Sequence, residues 1–171
     1  MDAILVIDVQ NALIKGAYRE SEVLDAINIA IGKVRERRGI VIFIQHCHST
    51  YQPMKKGNPG WDLDDALDVT KGDIFVEKEA SDSFYESRLG TVLKRAKVDQ
   101  IFVTGLQTEY CVDATCRSAL SKGYAVTLVS DGHTTGDSHF PAAEVIKHHN
   151  NILANLAHPK QRIRLCKSSE I

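Results

Sequence analysis

No apolar stretch of this 171-residue chain approaches the roughly 20 residues that a membrane-spanning helix requires. The N-terminus runs directly into a candidate strand, so neither a membrane anchor nor a signal peptide is expected, and a cytoplasmic protein is. Charge of one sign is lacking as well: 21 Lys and Arg stand against 22 Asp and Glu, a formal net charge of −1. That balance leaves no electrostatic footprint for nucleic acid or for an anionic membrane. The four cysteines, at positions 47, 111, 116 and 166, form neither a CxxC pair nor a zinc-ligand spacing. Free thiols in a reducing compartment are the simplest expectation. No internal repeat, low-complexity tract or linker divides the chain. With 43% hydrophobic and 25% charged residues, it reads as one globular domain spanning 1–171.

What is present alternates. Ala3 to Ile7 is a continuous apolar run, as a strand covered on both faces requires, and it ends in Asp8. Residues 22–38 read as a helix with Ser21 as N-cap, Val23, Leu24, Ile27, Ile31 and Val34 inward, and Gly39 as C-cap. Ile40 to Ile44 is a second strand ending in Gln45-His46. The polar stretch 47–72 is long for a connection and points to a functional loop, with a short helix near 63–68. Asp73 to Glu77 is a third strand ending at Lys78, followed by a helix around 86–97. Tyr124 to Val129 is a fifth strand, the loop 130–139 follows, and a helix opens at Pro141 and runs to about Leu156. Arg162 to Cys166 reads as a last strand. Strands alternating with helices predict an α/β fold with a parallel sheet.

Residues 99–123 are the focus. Ile101, Phe102 and Val103 form a strand that ends at Gly105, and from Tyr110 the period changes. Val112, Cys116, Ala119 and Leu120 fall on one helical stripe, with Gly123 where a C-cap belongs. Cys111 therefore sits in a first helical turn, where the helix dipole and free N–H groups favour thiolate and can receive an oxyanion. Cys116, on the apolar stripe, reads as inert core. Ligands in such sheets bind outside the carboxyl ends of the strands, and Asp8, Lys78 and Cys111 all fall at or just past such ends.

The ordered set LVIDVQN (5–11), VEKEASDSF (76–84), TGLQTEYCV (104–112) and VSDGHTT (129–135) resembles the isochorismatase-like cysteine hydrolases, which include nicotinamidases and N-carbamoylsarcosine amidohydrolases. The likeness runs over essentially the whole chain. The DSF after the lysine and GNPGW (57–61) resemble the streptothricin-hydrolase-like branch more than the nicotinamidases. The resemblance implies a three-layer Rossmann-like α/β fold whose six-stranded parallel sheet has the order 3-2-1-4-5-6. It also implies a Cys111-Asp8-Lys78 triad and a non-proline cis peptide at Leu106–Gln107, with the Gln107 and Cys111 N–H groups as an oxyanion hole. The implied reaction is hydrolysis of a small-molecule amide through a thioester, without a cofactor, in a homodimer or homotetramer whose partner loop closes the pocket.

Where nicotinamidases carry a metal-binding D-x-H, this chain reads HCHSTYQP, with His46 and His48 but no aspartate. A metal-free site is expected, with His46, Trp61, Phe84 and Tyr110 as candidate pocket walls. Two other readings stand beside this one. Cys111 and Arg117 fit the C-x5-R spacing of thiol phosphatases, although VDATC lacks the glycine such an anion loop needs and Asp113 would repel a dianion. A non-catalytic α/β binding protein that kept the fold is the other.

Overall fold

The computed structural model describes residues 1–171. Its centre is β1 (Asp2–Ile7), in which Ala3 through Ile7 are all fully buried. The pleat sends Ala3, Leu5 and Ile7 into one core cluster of 19 residues, and Ile4 and Val6 into a second of 16 on the opposite face. This two-sided burial is why the strand reads as an unbroken apolar run. At roughly 1.5–3 kcal/mol for each large side chain, the four from Ile4 to Ile7 contribute on the order of 6–12 kcal/mol.

The other strands are β2 (Ile40–His46), β3 (Ile74–Lys78), β4 (Gln100–Gly105), β5 (Ala125–His133) and β6 (Arg164–Cys166). All pair in parallel in one sheet ordered β3-β2-β1-β4-β5-β6, as expected. The order reverses between β1 and β4, and that switch point lies between Asp8 and the turn that carries Cys111. Helices α1 (Asn11–Ile14), α2 (Glu20–Glu36), α3 (Leu89–Arg95), α4 (Asp113–Ser121) and α5 (Ala142–Ala154) complete the layers. Residues of α2 fill the smaller cluster, and residues of α3, α4 and α5 fill the larger. No helix is long and apolar enough to cross a membrane.

Several local expectations are corrected. The helix near 63–68 is absent: that segment is turns, pinned where the Asp64 N–H donates to Val9 O and Leu63 bridges Gln10. Helix α3 is shorter than 86–97, because Glu86 and Lys97 adopt left-handed backbone at φ 46° and 52°. Helix α2 begins at Glu20, so Ser21 lies inside it and caps nothing. At its other end Arg38, not Gly39, takes the left-handed conformation, at φ 58°. Gly39 is instead required by space, since a Cβ there would sit 2.8 Å from Asp2 O. Strand β5 continues four residues beyond Val129 through a register shift against β4, which brings His133 beside Gly105. Gly105 itself has φ 113°, and a Cβ would fall 2.0 Å from Ile7 O, so β4 approaches β1 more closely than any side chain allows.

Candidate active site

Asp8 follows β1 in a left-handed conformation, φ 54°, which costs a non-glycine residue on the order of 1–3 kcal/mol. Its N–H still donates to Ile44 O at 2.9 Å, so the backbone stays tied to β2 while the side chain turns inward. The side chain is buried. Asp8 Oδ2 accepts from Lys78, and Oδ1 has no hydrogen-bond partner. The unpaired oxygen leaves one acceptor position free inside the site.

Lys78 closes β3, and its side chain is fully buried. Its Nζ lies 2.7 Å from Asp8 Oδ2, 3.0 Å from Ala80 O, 3.1 Å from His46 Nδ1 and 3.2 Å from Cys111 Sγ. An ammonium has three protons for these four acceptors, so the neutral sulfur and imidazole compete for one of them. Cys111 is the fourth residue of a single π turn, Thr108–Val112, that leads from β4 into α4, and it is partly exposed.

The sequence predicts a thiol activated by a helix N-terminus. The structure reverses that balance. Burial, and then the Asp8 carboxylate, push the Cys111 thiol up to about 12 against the opposing pull of Lys78. Both causes favour the protonated thiol over the thiolate. Cys116, fully buried on the apolar stripe, is pushed up further by the same desolvation and is core.

The Leu106–Gln107 peptide is cis. Gln107 O accepts from the N–H groups of Tyr110 and Val112, which secures the π turn, while the Gln107 N–H donates no backbone hydrogen bond. Beneath the turn, Thr108 Oγ1 lies 2.9 Å from His133 Nδ1, and Asn150 Oδ1 lies 3.0 Å from His133 Nε2. The ring thus donates through Nε2 and accepts through Nδ1, and burial holds His133 down at about 4. From the other side, Ser83 Oγ lies 2.8 Å from Thr115 Oγ1, tying the loop after Lys78 to α4.

Among the four expected pocket residues, only His46 touches this group. It pairs in register with Lys78, and burial, then the Lys78 charge, hold it below the usual imidazole range. Trp61 is near but turned aside: its indole N–H donates to Cys47 Sγ at 3.3 Å. Phe84 stacks on Tyr124 at 6.0 Å beneath the Lys122 ammonium and lines a cavity with Ser87, Thr91 and Lys94. Tyr110, 57% exposed, faces a separate cavity of about 570 Å³ shared with His139, Phe140 and His148. The two aromatic residues follow local packing rather than the site, a distinction that composition does not signal.

Gln10 was not singled out by the sequence. Fully buried, it accepts the His46 N–H at 2.8 Å and donates to His46 O and Trp61 O at 3.2 and 2.7 Å. It serves as a strand partner beyond the end of β2 and fixes His46 over Lys78. Its place two residues after Asp8, in DVQ, was the available signal.

Asp8, His46 and Cys111 offer oxygen, nitrogen and sulfur atoms that all lie within 4.8 Å of one another, a metal-like donor set. Lys78 Nζ hydrogen-bonds all three, so an ammonium holds the position that a cation would take. The phosphatase reading loses its arginine: Arg117 makes a two-pronged pair with Asp113, at 2.7 and 3.0 Å, along α4.

Comparison with known proteins follows the same lines. The isochorismatase domain model matches residues 2–158. A streptothricin hydrolase of Streptomyces noursei is 34% identical over 146 residues, covering 84% of this chain and 52% of that protein. The chain thus spans about half the length of this curated relative. A crystal structure of an isochorismatase family protein superposes with a TM-score of 0.85 at 31% identity, covering 97% and 98% of the two chains. A cysteine hydrolase from Pseudomonas syringae pv. phaseolicola shares the fold with a TM-score of 0.89 at 20% identity, over 99% and 89%.

Proposed function

Because the chain belongs to the isochorismatase family, we propose that it is a cysteine amidohydrolase, cleaving the C–N bond of a small-molecule amide through a thioester on Cys111. The observation that carries this reading is Lys78 Nζ within hydrogen-bond reach of both Asp8 Oδ2 and Cys111 Sγ, beside a carboxylate oxygen without a partner. The name of the Streptomyces noursei relative supports hydrolysis as the reaction type.

In the proposed cycle Asp8 takes the thiol proton as the sulfur attacks the carbonyl carbon, so thiolate forms only at the moment of attack. The Lys78 ammonium keeps its protons and hydrogen-bonds the sulfur as negative charge develops there, in place of the charge that Asp8 loses. The carbonyl electron pair moves onto oxygen, which the N–H groups of Gln107 and Cys111 receive. Collapse of this intermediate breaks the C–N bond, and the leaving nitrogen takes the proton from Asp8. A water molecule next gives a proton to Asp8 and attacks the thioester. The carboxylic acid departs, and the sulfur recovers its proton.

The test is mass spectrometry of the protein quenched during turnover of a panel of simple amides. An acyl adduct on the peptide carrying Cys111, and loss of amine release in Cys111→Ala, are expected. Amine release that persists in Cys111→Ala overturns the reading.

A further inference from the structure

We propose that Asp8, His46 and Cys111 form a binding site for a thiophilic divalent cation of the Zn2+ class, which competes with the Lys78 ammonium and blocks the site. The donor set suits such an ion: one sulfur, one imidazole nitrogen and one carboxylate, all within 4.8 Å of one another. Zinc bonds of about 2.0–2.3 Å place tetrahedral ligands roughly 3.3–3.7 Å apart, so an inward movement on the order of 1 Å completes the site.

A second observation points to a cation independently of that spacing. Asp8 is fully buried, yet its Oδ1 has no partner, while Oδ2 has only Lys78. His46 Nδ1 likewise has Lys78 as its hydrogen-bond partner. A single ammonium therefore satisfies the ligand atoms that a metal would otherwise share, and Lys78 acts as a placeholder for one. Coordination releases the Cys111 thiol proton to solvent and moves the ammonium away from Asp8, His46 and Cys111. Asp8 and the resulting thiolate then balance the dication, and the fourth position is open to water. The ion is a competitor here, not a resident cofactor.

The placeholder makes a specific demand: removing Lys78 should strengthen metal binding in the same step that it removes catalysis. Lys78→Met is titrated with Co2+, whose thiolate-to-metal charge-transfer band reports sulfur coordination and does not depend on hydrolysis. The variant should bind Co2+ at least about tenfold more tightly than the unaltered protein. The band should vanish in Lys78→Met/Cys111→Ala, and affinity should fall about tenfold or more in Lys78→Met/His46→Ala. Equal affinity with and without Lys78, or a charge-transfer band that survives loss of Cys111, overturns the proposal. Should Lys78→Met fail to fold, the unaltered protein decides. Zn2+ should protect Cys111 from iodoacetamide, and His46→Ala should abolish that protection. Protection that is absent, or that persists in His46→Ala, overturns the proposal.

Discussion

Lys78 and Asp8 form an ion pair of 2.7 Å with side chains 0% and 1% exposed, across 70 residues of chain. The two end strands that do not touch, since β2 lies between β1 and β3. The pair is therefore a product of sheet order: Lys78 reaches over the end of β2 to meet a carboxylate turned inward by its left-handed backbone. Burying two charges carries a desolvation cost that their attraction offsets only while both are present.

That dependence gives the first prediction. Lys78→Met strands a buried carboxylate and should lower unfolding free energy by about 3–5 kcal/mol, whereas Asp8→Asn/Lys78→Met should recover much of the loss. Urea denaturation of both variants measures it. A double variant no more stable than the single one would show that the cost is not the unpaired charge.

The second concerns the state of the proposed nucleophile. With its thiol pushed up to about 12, Cys111 should show no thiolate absorbance near neutral pH, and resting enzyme should react slowly with iodoacetamide. Asp8→Asn removes the carboxylate charge that helps raise the thiol and leaves Lys78 in place. Alkylation should therefore accelerate, by roughly tenfold per pH unit that the thiol falls, while amide hydrolysis collapses. Reactivity and turnover moving in the same direction would contradict the assignment of Asp8 as the base.

His133 supplies a pH dependence of stability. Its folded-state value of about 4 lies below the ordinary imidazole value of 6.5, so the unfolded chain binds the proton more readily. The stabilisation is present above about pH 6.5 and is lost as pH falls toward 4, up to about 3 kcal/mol in all. His133→Asn should be less stable at neutral pH and should flatten this segment of the stability curve. Denaturation midpoints between pH 7 and about 4 test it.

Gln10→Ala should cost about 1–3 kcal/mol, because it leaves the partly buried His46 N–H without a partner and the Trp61 carbonyl with only the longer bond from Gln45 Nε2, at 3.2 Å. Turnover should fall as well, since His46 would lose its hold over Lys78. Thermal denaturation and kcat, read on the same preparation, separate the two effects.

The sequence by itself determined the parts that depend on local pattern. Apolar runs bounded by polar residues predicted the strands, because burial on both faces of a sheet is a property of consecutive residues. The helical stripe through Val112, Cys116, Ala119 and Leu120 was legible for the same reason, as was the placement of Asp8, Lys78 and Cys111 near strand ends. The limits of β5 and α3 were not, because a register shift and isolated left-handed residues leave no periodicity. Tertiary structure alone decided what depends on distance and dielectric: that four acceptors surround one ammonium, that Gln10 clamps His46, and that Phe84 stacks on Tyr124. It also decided the protonation of Cys111. A helix start favours thiolate within one turn, whereas desolvation and the charge of Asp8 reach the sulfur only once residues about a hundred positions apart are folded together, and these prove the stronger.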